Sequence, residues 1–175
     1  MRRWRDSDLE PFAALNADPE VMEHFPATLS RAESDAFVER IEARFERDGY
    51  GLWALEVAET GRFIGYTGLA PQTFPAHFTP AVEVGWRLAR FAWGHGFATE
   101  AARAALAFGF ERARLEEIVS FTATTNLRSQ AVMQRVGMTH DPADDFDHPA
   151  LPEGHPLSRH VLYRRRADRP SPPAR

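Results

Sequence analysis

One stretch constrains this chain more than any other: residues 83–100, EVGWRLARFAWGHGFATE. An alternating apolar run leads into a glycine pair, Gly94 and Gly96, and an alanine-rich segment follows. That order predicts a strand, a tight turn and a helix. Glycine removes the side chain where a backbone must turn sharply or meet a ligand. The first amides of the helix have no intrahelical partner, so they can face a phosphate. The residue types therefore point to a site for a phosphate-bearing ligand or cofactor. They name neither the ligand nor the reaction.

Around this stretch the pattern alternates. Residues 2–5 read as the end of a short first strand, and 6–17 as a helix with Asp8 as its cap. Pro19 suits the first turn of another short helix holding Val21 and Met22. Ser30 and Glu33 have capping-box spacing, and Phe37, Ile41 and Phe45 follow at helical intervals to Gly49. That stripe suits core packing or a cleft wall. Residues 50–57 and 63–69 predict a hairpin turned at Thr60-Gly61, with Gly65 and Gly68 marking a bulge. Residues 70–80, with three prolines, read as a loop. Strands are expected over 81–88, 117–122 and 160–164. Helices are expected over 99–112 and from Asn126 or Ser129 to Gly137. An early hairpin followed by alternating helices and strands predicts an α/β (α+β) layer. We expect one domain over 1–166 and a disordered tail over 167–175.

Composition removes several chemistries. No cysteine is present, so a thiolate nucleophile, a disulfide and cysteine-ligated zinc are excluded. All 21 basic residues are arginine, which excludes a Schiff-base or phosphate-loop lysine. No Gly-x-Ser-x-Gly elbow supports a hydrolase. The dinucleotide fingerprint fails because Thr99 occupies its third glycine position. No apolar run is long enough to cross a bilayer, and no secretory signal is visible, so the expected location is cytoplasmic, with no membrane partner. Residues 159–175 carry six arginines against one aspartate, which suits a solvated end or an RNA contact such as a ribosome. The run His140, Asp141, Asp144, Asp145, Asp147, His148 holds ligand types without a fixed loop pattern, so it reads as a solvated acidic loop and no metal site is assigned. It could still select a cationic acceptor, as could Glu20, Glu23 and Asp35.

The stretch EVGWRLARFAWGHGFATEA, followed after a strand by NLRSQAVMQRVGM, resembles the GNAT family of N-acetyltransferases. Within it the chain resembles the RimJ/RimL-like branch of ribosomal-protein N-terminal acetyltransferases. The likeness runs from RRWRD at the start to HVLY near the end. It implies a GNAT fold, with a central mixed sheet that splays open and is flanked by helices. It also implies acetyl-CoA as donor and an amine as acceptor.

Carried over residue by residue, the family's phosphate loop falls on Phe91, Gly94 and Gly96, with Phe91 departing from the usual Gln/Arg. The amides of His95, Gly96, Phe97, Ala98 and Thr99 would face the diphosphate. Trp86, Arg87 and Leu88 would offer strand edge groups to the pantetheine arm. Asn126 would hold the cofactor arm or the splayed strand end, and Ser129 would lie near the thioester sulfur.

Glu83, in an otherwise apolar strand, is the expected general base, since burial raises a carboxylate's pKa. Tyr163 is a competing acid, by resemblance to other branches. Both residues also fit plain structural roles. Phe25, Phe74, Phe78 and Trp93 could line the pocket or fill the core.

The expected acceptor is a protein or peptide N-terminus or a small amine, including polyamine- or antibiotic-like ones. A non-catalytic acyl-CoA-binding or regulatory module is the alternative. Monomer and homodimer both remain open.

Overall fold

A computed structural model describes residues 1–167. The tail expected over 167–175 lies outside them except for Ala167, whose amide donates to the Glu116 carbonyl at 2.9 Å. Seven strands form one sheet: β1 (Leu52–Glu56), β2 (Phe63–Gln72), β3 (Ala81–Leu88), β4 (Glu117–Ala123), β5 (Thr139–His140), β6 (Phe146–Asp147) and β7 (Arg159–Arg166). Their order is β1-β2-β3-β4-β7-β5, with β6 also pairing with β7. Every pairing is antiparallel except β3 with β4.

The helices cover both faces. On one, α1 (Leu9–Ala17) and α2 (Arg31–Asp48) bury Phe12, Leu15, Ile41 and Phe45 against Leu52, Ala54 and Tyr66. On the other, α3 (Phe97–Glu111) and α4 (Leu127–Arg135) bury Ala102, Leu106 and Met133 against Leu69, Val84 and Ile118. Each helix presents one apolar stripe, as its spacing dictates. The Ser30–Glu33 capping box forms at both of its bonds, and Gly49 closes α2 in the left-handed region.

The structure differs from the expected elements at several points. Residues 2–5 make no strand; Arg2 alone bridges Ala54. Its guanidinium pairs with Asp8 at 2.6 Å and Glu56 at 2.7 Å. Asp8 makes no side-chain cap to α1; buried, it anchors Arg2 and accepts the Arg5 amide. Val21 and Met22 lie in turns, not a helix. β2 continues to Gln72, three residues beyond Leu69 and into the expected loop. α3 starts at Phe97 because Gly96, at φ 82°, already caps it.

The sheet's bulge leaves Ile64 as the extra residue between the pairs Leu55–Gly65 and Glu56–Phe63. Gly65 and Gly68 stay in the ladder for another reason. A Cβ at Gly65 would lie 2.1 Å from the Arg87 carbonyl oxygen, and one at Gly68 2.1 Å from that of Gly51. Backbone oxygens in a ladder cannot retreat. Gly65→Ala or Gly68→Ala should therefore cost several kcal/mol, whereas Gly61→Ala, in open space at φ 68°, should cost about 1 kcal/mol. Thermal melts of the three variants check this ranking.

Candidate active site

The parallel pairing of β3 with β4 has a single registered pair, Glu83 with Val119. Beyond it the two strands part. A cleft of about 1450 Å³ opens there, lined by Trp86, Arg87 and Leu88 on one side and Ser120, Phe121 and Thr122 on the other. A strand whose edge groups lack a neighbour can pair with an extended, amide-bearing ligand.

The turn after β3 closes one end of the cleft. Gly94 and Gly96 sit at φ 79° and 82°, with open space where a Cβ would be. Glycine is needed there for its dihedral freedom rather than for room. Among the described residues no N–H from Gly94 through Thr99 has a protein acceptor, and the first to find one is Glu100, bonded to Gly96 at 3.0 Å. These donors and the positive end of α3 suit an anion. Gly94, Gly96, Phe97, Ala98 and Thr99 all line the cleft. His95 does not; its ring packs on Phe97 at the outer edge of the turn. Arg103, Arg128 and Arg135 line the same end, and none has a carboxylate partner among the described residues. Arg103 reaches the Arg135 carbonyl, and Arg128 lies 4.5 Å over the Trp93 ring. Sequence reading missed all three. Only the side-by-side packing of α3 and α4 brings them together.

Asn126 combines two of its expected roles. Its side chain accepts the Ser129 amide, capping α4, and donates to Thr122 Oγ1 at 3.0 Å, tying down the free end of β4. Ser129 lines the cleft, with no hydrogen bond made by its hydroxyl among the described residues.

Glu83 borders the cleft on the face toward α1 and α2. Gln72 donates to it at 2.6 Å from the neighbouring strand. Burial pushes its carboxyl up to about 8, against the smaller opposing effect of the Gln72 bond. His148 and His160 line the same half, their rings 5.1 Å apart. Desolvation holds both below the usual histidine range.

Tyr163 does not reach the cleft. It is buried against α4, its ring stacked on His140 and its hydroxyl accepting from Gln134. Of the acidic run only His148 reaches it; its aspartates do not. Asp144 binds Arg164 and His77, and Asp145 binds His140. Among the described residues no three metal-ligand types converge. Glu20 is taken by Arg90, and Asp35 by Arg31. Of the four aromatics offered as pocket wall, Phe25, Phe74 and Trp93 line the cleft, while Phe78 belongs to the core with Val119 and Phe146.

The acetyltransferase (GNAT) domain family matches residues 1–139. The chain belongs to the GNAT family. YkkB of Bacillus subtilis, an uncharacterized protein, is 31% identical over 127 residues, covering 73% of each chain. FsC-acetyl coenzyme A-N(2)-transacetylase of Aspergillus fumigatus is 35% identical over 133 residues, which is 72% of this chain but 56% of that protein. An acetyltransferase structure from Agrobacterium tumefaciens superposes with TM-score 0.74 at 26% identity, over 94% of this chain and 88% of its own. A spermidine N-acetyltransferase from Vibrio cholerae, solved with CoA and spermine, shares the fold at TM-score 0.72 and 17% identity, over 94% and 93%. These likenesses establish the family; they do not separate the RimJ/RimL-like branch from the others. No helix among the described residues is long and apolar enough to cross a membrane.

The raised Glu83 carboxyl links folding to pH. The folded state holds the proton up to about 8, while an unfolded glutamate releases it near 4.5. That group's contribution is therefore complete below the unfolded value and lost as pH climbs toward the folded one. Glu83→Gln should gain thermal stability over the parent between those limits, with the gap widening as pH rises. Melts from pH 5 to 9 check it, and parallel curves would contradict it.

Proposed function

We propose that this chain transfers the acetyl group of acetyl-CoA to a primary amine by direct attack. One observation carries the reading: parted strand edges lead to a helix N-terminus with unpaired amides, and a carboxyl lifted to about 8 borders the same cleft. The donor is acetyl-CoA, as in the named relative from Aspergillus and consistent with the CoA-bound spermidine enzyme of the same fold. Its diphosphate would meet the amides of 94–99, with His95 contributing backbone only. Arg103, Arg128 and Arg135 would neutralise the remaining phosphate charge. Its pantetheine arm would lie along Trp86, Arg87 and Leu88, opposite a strand end fixed by Asn126.

In the reaction the amine nitrogen bonds to the thioester carbonyl carbon and the carbon–sulfur bond breaks. The proton lost by the amine goes to the Glu83 carboxylate, directly or through water. The leaving thiolate takes a proton from water, and the Ser129 hydroxyl would donate a hydrogen bond to it. Strand amides near Arg87 and Leu88 would steady the oxyanion. Tyr163, buried away from the cleft, has no part in this scheme. Either a peptide N-terminus, as the RimJ/RimL-like branch suggests, or a small amine fits the scheme.

Thiol release from acetyl-CoA across a panel of amines and N-terminal peptides tests the reading. Rates should rise with pH through about 8 as Glu83 loses its proton. Glu83→Gln should lower kcat by about 10²–10⁴-fold while acetyl-CoA still binds, its residual pH dependence following the acceptor amine alone. Binding without consumption by any amine would instead favour the non-catalytic module.

A further inference from the structure

We propose that the acceptor carries a carboxylate several bonds from its amine, and that Arg87 binds it. This deepens the acetyl-transfer reading and rests on it. Arg87 is 8% exposed and borders the acceptor half of the cleft. Its Nη1 donates to Asn16 Oδ1 at 2.6 Å, and Asn16 is itself held by a 2.9 Å bond to Ser34. The opposite edge of the guanidinium has no partner. Nε is buried without an acceptor, and among the described residues Nη2 makes no hydrogen bond. The ring of Phe25 covers the guanidinium at 4.0 Å.

A buried cation without an anion is costly, and Nη2, the unpartnered nitrogen that is not itself buried, can donate to a carboxylate. The rest of this half offers no internal carboxylate to meet it. Glu20 is occupied by Arg90, and Glu23 lies 3.7 Å from His24. Glu83 shares its face of β3 but lies four residues away, a strand span of about 13 Å. That span sets the geometry of the acceptor. An amine at Glu83 and an anion at Arg87 must be separated by several bonds. Arg40 and Arg44 also line this side and pair with no carboxylate among the described residues. Among the acidic groups that seemed suited to a cationic acceptor, Glu20, Asp35, Asp144 and Asp147 pair with Arg90, Arg31, Arg164 and Arg159. A polyamine, with charge only of the wrong sign, is disfavoured.

The carboxylate could belong to a linear ω-amino acid or to an acidic side chain in a peptide, and the test separates the two. Acetyl-CoA binding is measured first, by calorimetry on the full chain, so failure of the acetyl-transfer reading is seen independently. Then ω-amino carboxylates of increasing length, short peptides with acidic residues after the N-terminus, their amide counterparts and spermidine are compared as acceptors. Where turnover is absent, binding of the same amines to the CoA-loaded protein is read instead.

Carboxylates of one or other source should exceed their amides and spermidine by about 10- to 100-fold in kcat/KM or affinity. Arg87→Met should erase that preference chiefly through KM. Asn16→Asp supplies an internal carboxylate, and should erase it without lowering the melting temperature. Spermidine or the amides matching the carboxylates would overturn the proposal. So would a preference that survives in both variants.

Discussion

The parting of β3 and β4 is the constraint on which the rest of the site depends. Two parallel strands with free edges would ordinarily zip together, because unpaired backbone groups are costly once shielded from water. Here each is held by its outer neighbour. β3 pairs with β2 over eight residues, and β4 with β7 over seven. Gly65 lets the Arg87 carbonyl approach β2 more closely than any side chain would permit. The Asn126 bond to Thr122 fixes the far end of β4. With one shared pair at Glu83 and Val119, both strands are rigid and the gap between them is built in.

The gap also divides the electrostatics. Toward the Gly94–Gly96 turn lie a helix N-terminus and three arginines, a surroundings suited to phosphate. On the other face, burial bears on four groups with different consequences. It keeps Glu83 protonated, keeps His148 and His160 neutral, and leaves Arg87 as a charge that burial cannot remove. An arginine cannot shed its proton to relieve burial, so it must find a partner. The protein supplies Asn16, a neutral one, and leaves Nε and Nη2 without a partner among the described residues.

Much of this was legible locally. The order strand, glycine pair, helix in 83–100 marked the turn, and the capping box at Ser30 and Glu33 formed as its spacing requires. Asn126 announced a cap and proved to be one. What failed depended on distant partners. Tyr163 looked available, yet β7 turns it toward α4 and His140. The acidic run is a surface loop as read, but nothing local could show that Arg164, in the last strand, pairs with Asp144. Arg87 was read for its backbone because alternation alone could not reveal Asn16, 71 positions earlier, beside its guanidinium. Periodicity tells which way a side chain points; it does not tell what it meets.

The grip of the main chain on the diphosphate can be observed directly by following backbone amide resonances during ligand titration. Coenzyme A should shift the amides of Gly94, Gly96, Phe97, Ala98 and Thr99. Pantetheine, which lacks the diphosphate, should leave them in place while shifting residues along β3. Loop amides that do not move with coenzyme A, or that move equally with pantetheine, would contradict a diphosphate held at this turn.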